Sequence, residues 1–331
     1  MTEPCTCGTV VPPPPRFSVV IPVHNKGPLL AEALASVAAQ SWRDYELIVV
    51  DDASSDGGLA VLERFPQLPL RLLQRRVPGP GGYAARNLGI QAARGDWVAF
   101  LDADDLWLPE HLATAAAQIE RHPEAAVVCT GFEEDLAGQL ETVAVAHSVC
   151  LTAAELLRRY ARRDLFHTNS MLVRRQALLA AGGFPEQGVR RGGDHALWLR
   201  LVLLGEPIVL AAPVTSRYRR DHSGVVADPA AMAGRHPVAQ VAAAALAGTI
   251  PLPPTWGVAE RLALRRLANR KSLLWMLQRR RQGLPPGQGA GLPYPAALTP
   301  VDALRWLLAC WAPPGLVRVL QRRWRRWRSR V

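Results

Sequence analysis

Two short runs of carboxylates carry most of the chemical potential of this 331-residue chain. They read Asp51-Asp52-Ala-Ser-Ser-Asp56-Gly57 and Asp102-Ala-Asp104-Asp105. Three carboxylates packed as closely as Asp102, Asp104 and Asp105 repel one another unless a cation lies among them. Mg²⁺ or Mn²⁺, bound by oxygen ligands and substrate phosphates, is the usual solution, and a diphosphate leaving group would supply the phosphates. A lone aspartate here would read as a turn former or as a cap for the helix beginning near Pro109. A cluster directly after Val98-Ala-Phe-Leu101 points instead to a metal or a nucleotide, with one member left over for capping.

Both runs follow short apolar, β-branched segments, and in open α/β sheets ligands bind just beyond the carboxyl ends of the strands. The pattern predicts strands over 17–22, 46–51, 70–74, 97–101, 126–132 and 170–173. Between them it predicts helices over 28–39, 58–65, 83–93, 109–122, 153–160 and 194–204. This alternation is the signature of an α/β fold, a mostly parallel central sheet flanked by helices. Residues 221–237 are polar and proline-bounded, as a linker would be. Beyond them lie helical patterns over 238–247 and 256–282, a Gly/Pro-rich break, and a last helical stretch from Pro300. The division expected is a disordered Pro-rich tail over 1–15, an α/β domain over 16–225, and a helical, basic extension over 226–331.

Composition narrows the function classes. Five cysteines without paired spacing fit a reduced, cytoplasmic protein, although Cys5 and Cys7 leave a minor metal reading open beside that of two free thiols. The N-terminus lacks a signal-peptide pattern, and no apolar run approaches the ~20 residues that span a bilayer. A formal charge of +11 calls for an anionic partner, but seven of the arginines fall between Arg318 and Arg330. That tail placement argues against nucleic acid. Leu316, Leu320, Trp324, Trp327 and Val331 recur at helical steps beside those arginines. The pattern suits a helix lying on an anionic membrane surface, which would make the protein peripheral on the inner face. A helix packed back on the domain and a solvated tail are the alternatives.

Four blocks in order resemble the family 2 inverting glycosyltransferases with the GT-A fold. They are Ser18-Val-Val-Ile-Pro22-Val-His24-Asn25, Glu46-Leu-Ile-Val-Val-Asp51-Asp52-Ala-Ser-Ser-Asp56-Gly57, Ala85-Arg86-Asn87-Leu-Gly89 and Leu101-Asp102-Ala-Asp104-Asp105. The resemblance covers about 16–225 and implies a nucleotide-sugar donor, UDP-linked by preference, with a divalent cation. It implies that Pro22, His24 and Asp52 hold the nucleobase, with Asn25 and Asp51 in the same donor-binding motifs. Asp102 would lie near the ribose, Asp104 would ligate the metal, and Arg86 would approach the phosphates or brace Asp102. His24 stands where the family more often has tyrosine. The segment Gly192-Gly193-Asp194-His195-Ala-Leu197-Trp198-Leu199-Arg200-Leu201 matches the block that carries the family's general base, which makes Asp194 the base. Gly193 replaces the usual glutamate before it. Read without the resemblance, Asp194 would be an ordinary helix cap. His222 matches the closing segment that approaches the diphosphate and metal.

A Rossmann dehydrogenase would need its glycines after the first strand, where Val23-His24-Asn25-Lys26-Gly27 stands instead. The second functional reading is a non-catalytic nucleotide-sugar-binding protein derived from a transferase. The acceptor, whether saccharide, lipid-linked or peptide, is not written in these motifs.

Overall fold

The computed structural model describes residues 13–136, 138–222, 229–232, 234–285 and 294–311. Strands β1 (Phe17–Val23), β2 (Tyr45–Asp51), β3 (Leu70–Gln74) and β4 (Trp97–Phe100) form a parallel half-sheet in the order β3-β2-β1-β4. The sheet continues through β5 (Leu106–Trp107), β6 (Val127–Leu136), β7 (Gln139–Val143), β8 (Val149–Leu151), β9 (Met171–Arg174) and β10 (Ile208–Arg219). Its full order is β3-β2-β1-β4-β9-β6-β10-β5, with β7 added to β6 and β8 to β10. The parallel character expected from the sequence holds over β3 to β4 and between β6 and β10. It is broken by β9, which runs antiparallel between β4 and β6, so the sheet as a whole is mixed.

The helices are α1 (Gly27–Ala38), α2 (Tyr83–Ala92), α3 (His111–Arg121), α4 (Ala153–Tyr160), α5 (Arg175–Ala180) and α6 (Gly193–Leu203). They are followed by α7 (Pro237–Leu246), α8 (Val258–Arg281) and α9 (Pro300–Trp311). Alternation along the strands sorts the core onto two faces. Val19, Ile21, Leu47 and Val49 pack with Leu30 and Leu34 of α1 and Leu112 of α3. Val20, Ile48, Val98 and Phe100 point the other way, into a cluster with Trp198 of α6. Val238 and Ala242 of α7 and Leu264 and Leu267 of α8 belong to that same cluster. Helix α7 therefore packs against α6 and α8 against α4, at the back of the segment that presents Asp194, while α9 packs on α8.

Among the described residues no helix is long and apolar enough to cross a membrane. The arginine-rich stretch from Arg318 and the stripe from Leu316 to Val331, expected as a membrane-surface helix, lie outside the described residues.

Candidate active site

The loops after β1 and β2 are tied into one ledge. The Asn25 Oδ1 accepts the Ser55 N–H at 2.8 Å, and the Ser54 hydroxyl accepts the Asn25 N–H at 3.1 Å. Asp51 accepts the Ser54 N–H at 2.9 Å, and His24 Nδ1 lies 2.8 Å from the Asp52 carbonyl. Asp56 accepts the N–H groups of Gly27 and Gly58, both at 3.0 Å, and so satisfies a backbone donor at the start of α1. A Cβ at Gly58 would sit 2.2 Å from the Gly27 Cα, so only glycines let the two loops meet this closely. Pro22 is buried beneath the ledge and His24 is exposed on it. The Asp52 carboxylate, 2% exposed, accepts the Gly79 N–H at 3.0 Å and is paired with Arg75. A carboxylate has about four acceptor sites, so capacity remains for one further donor such as a nucleobase N–H.

The three acids after β4 have different environments. Asp102 is paired with Arg86, which also donates to the Gly81 carbonyl at 3.0 Å. Of the two roles expected for Arg86, bracing Asp102 is therefore the one seen here. Asp105 is buried, accepting the Arg219 N–H at 2.7 Å and the Asn169 amide. Burial, then the charges of Asp102 and Asp104, push its carboxyl well above the usual carboxylate range. Asp105 thus fastens the acidic loop to β10 and is the member left over for structure. Asp104 accepts Lys26 Nζ at 2.8 Å, and the same ammonium donates to the His222 carbonyl at 2.5 Å. Lys26 brings the Asp104 carboxylate and the His222 backbone carbonyl to one positive charge, and the His222 imidazole takes no part in that contact. Two oxygens already gathered around an ammonium are donors of the kind Mg²⁺ or Mn²⁺ takes, so the Asp104 side of the expected site suits such an ion.

Asp194 lies in the first turn of α6. Gly192 occupies the capping position with φ 77° and no side-chain cap, and Asp194 is the second helical residue. The side chain is therefore not consumed as an N-cap. Burial pushes its carboxyl up, but the charge and backbone N–H of His195 and the charge of Arg86 outweigh that and hold it below the ordinary value. Arg86 is the link between Asp102 and Asp194. Burial disfavours its charge, yet Asp102, then Tyr83 and Asp194, more than restore it.

The absent glutamate has a steric explanation. The Tyr83 hydroxyl accepts the Gly193 N–H at 2.9 Å, and a Cβ at Gly193 would come 2.8 Å from both the Tyr83 ring and Pro185. Tyr83, stacked on Phe184 with ring centroids 5.8 Å apart, fills the space a side chain would need. Gly193→Glu is accordingly expected to destabilise the fold by about 1–3 kcal/mol, the usual cost of overpacking. Thermal denaturation checks it, and an unchanged melting temperature would contradict this packing.

Behind α6, His195 Nδ1 lies 2.7 Å from the Tyr160 hydroxyl and 3.2 Å from Lys271 Nζ. Burial, then the Lys271 charge, lower His195 to about 4, so it is a neutral hydrogen-bonding group and not a second base at neutral pH. Lys271 and Arg270, both on α8, pair with Asp164 at 2.7 and 2.6 Å. Burial lowers His167, which packs against Tyr218 at a tilt with centroids 4.2 Å apart and feels the charges of Asp102 and Asp194. Sequence reasoning missed Lys26, Arg75, Asn169, His167 and Lys271. Only Lys26, following His24-Asn25 directly, carried a local signal.

Residues 18–179 match the model of the glycosyl transferase family 2. The chain is 34% identical over 179 residues to a Mycobacterium tuberculosis PGL/p-HBAD biosynthesis glycosyltransferase, covering 51% of this chain and 68% of that protein. It is 26% identical over 218 residues to the glycosyltransferase GlyG of Streptococcus pneumoniae, covering 63% and 72% of the two chains. Among solved structures it is similar to S. aureus TarS 1-349 in complex with UDP-GlcNAc, with TM-score 0.64 and 19% identity over 89% of this chain and 79% of that one. It is also similar to the mannosyltransferase PcManGT from Pyrobaculum calidifontis in complex with GDP-Man and Mn²⁺. There the TM-score is 0.60 and the identity 23%, over 95% of this chain and 83% of the other.

Proposed function

This chain belongs to the glycosyl transferase family 2, and we propose that it moves a sugar from a UDP-linked donor to an acceptor with inversion, Asp194 acting as general base. It is a glycosyltransferase that uses a nucleotide-sugar donor. The observation that carries the finer reading is Arg86, which pairs with Asp102 at the end of β4 and also feels Asp194 at the start of α6. That shared arginine supports reading the donor-side acids and the base as parts of one site.

In this reading the nucleobase rests on the ledge of Pro22, His24, Asn25 and Asp51, with Asp52 accepting a base N–H. Asp102 faces the ribose. Asp104, with His222 approaching from the end of β10, would hold Mn²⁺ or Mg²⁺. A cation bound there would neutralise charge on the departing diphosphate. Lys26 releases Asp104 when the donor arrives. Asp194, ionised at neutral pH, removes the acceptor proton as the acceptor oxygen attacks the anomeric carbon from the face opposite the diphosphate. Tyr83 and the backbone of Gly193 hold Asp194 in position. Support for uridine comes from the TarS complex with UDP-GlcNAc, and the PcManGT complex with GDP-Man makes guanosine the second choice.

Calorimetry with UDP and GDP, with Mn²⁺ and with EDTA, tests this. The nucleotide should bind at least about tenfold more weakly in EDTA, because Asp102 and Asp104 then meet the diphosphate as like charges. Equal affinity in both conditions would remove the metal from the mechanism.

A further inference from the structure

At the opposite end of the sheet from these acids, three potential ligands of a different chemical kind converge. His122 and Glu124 lie on the turn between α3 and β6, and Cys150 lies on β8. His122 Nδ1 is 3.4 Å from Glu124 Oε1, and Cys150 Sγ is 3.6 Å from the same oxygen. All three ligand atoms lie within 4.8 Å of one another. We propose that His122, Glu124 and Cys150 form a zinc site that pins strand β8 to the α3–β6 turn.

The spacing fits the metal. A tetrahedral zinc with Zn–S of about 2.3 Å and Zn–N and Zn–O of about 2.0–2.1 Å has ligand-to-ligand edges of roughly 3.3–3.6 Å. Two of the three edges already have those lengths, and partly exposed side chains can close the third. A water completes the fourth position.

The ligands are also held by backbone. The Ala125 N–H donates to the His122 carbonyl at 3.0 Å, closing the turn around Pro123. Arg174 Nη2, reaching over from β9, donates to the carbonyls of Pro123 and Ala125 at 2.8 and 2.9 Å. Cys150 is fixed by the pairing of β8 with β10, opposite Val209. Little of the turn or strand has to be ordered when the ion arrives. Burial, then the hydrogen bond to Glu124 and the charges of Glu124 and Glu155, raise the Cys150 thiol, so an arriving ion has to displace the thiol proton.

Chemistry separates this site from the acids at the other end. Thiolate and imidazole select zinc over Mg²⁺ and Mn²⁺, whereas an all-oxygen set prefers the latter two. The chain would then carry two kinds of cation site, one at each end of the same sheet.

The experiment is zinc titration of the full, reduced chain by calorimetry, together with cobalt substitution followed by absorption. The expected result is one zinc bound through this site, a thiolate-to-cobalt charge-transfer band, and a higher melting temperature with zinc. Cys150→Ser should abolish the band and weaken zinc by at least about tenfold, since even outer-sphere partners of a metal are worth 10- to 100-fold. Glu124→Gln, an exposed change that leaves the fold intact, should weaken zinc similarly. Asp104→Ala and a Cys5→Ser/Cys7→Ser double variant should leave both readouts unchanged. Absence of zinc binding, or binding and a band that persist in Cys150→Ser, would overturn the proposal.

Discussion

Asp194→Asn is expected to reduce sugar transfer by about 10²- to 10⁴-fold, the usual worth of a general base, while donor affinity stays within about threefold of the wild type. The substitution is nearly isosteric and keeps the space beside Tyr83 and Gly193. It removes the carboxylate's negative charge and with it the ability to take a proton, while Asp102 remains to pair Arg86. Because Gly192, and not Asp194, sits at the capping position, the melting temperature should hardly move. Although burial opposes it, the backbone N–H of His195 and the surrounding charges hold the Asp194 carboxyl below its ordinary value, so wild-type transfer should not fall on mild acidification from neutral pH through loss of this base. Initial rates at saturating donor, with melting curves beside them, give the answer. Near-normal transfer by the variant would take the base role away from Asp194.

Asp104→Ala should fail differently, losing Mn²⁺-dependent donor affinity and transfer together. A metal clamp on a diphosphate contributes several kcal/mol, so the combined loss in kcat/KM should be on the order of 10³-fold. Asp104 also pairs with Lys26, and a purely structural role for that pair has to be separated. Lys26→Met removes the pair from the lysine side and should leave the metal dependence of donor binding in place. Steady-state kinetics over a Mn²⁺ series in both variants distinguishes the two. Equal losses in Asp104→Ala and Lys26→Met would mean that the ion pair, not metal ligation, is what Asp104 provides.

What could be read from the sequence follows a physical boundary between local and distant contacts. Strands β1 to β4 and the acid runs were legible because each is a continuous segment whose hydrophobic pattern ends in polar residues. Strand β10 was not recognised. Pro213 interrupts its pattern, and its register against β6 shifts on either side of Val214, so no clean alternation survives. Yet its last residue, Arg219, fixes Asp105. The partners of the acids were hidden for a related reason. Arg75, Asn169 and Lys26 reach their carboxylates from loops and strand ends remote in sequence, and pairing across such distances leaves no local trace. Lys271 and Arg270 sit in a helix rich in arginine, which reads as a solvated face. In the fold they are buried behind α6, with Asp164 balancing their charge. The departure at Gly193 looked in the sequence like the loss of a functional glutamate. The structure accounts for it by the ring of Tyr83, a residue 110 positions away.

The stereochemistry of transfer tests the single-displacement account most directly, and it needs no knowledge of the acceptor. With Mn²⁺ and the α-linked nucleotide sugar that binds best, the slow transfer to water can be followed by proton NMR before the released sugar mutarotates. Attack opposite the diphosphate, assisted by Asp194, predicts that the first-formed sugar is the β-anomer, and that Asp194→Asn forms it at least about 10²-fold more slowly. A first-formed α-anomer would contradict the account, because retention requires two displacements or attack from the leaving-group face.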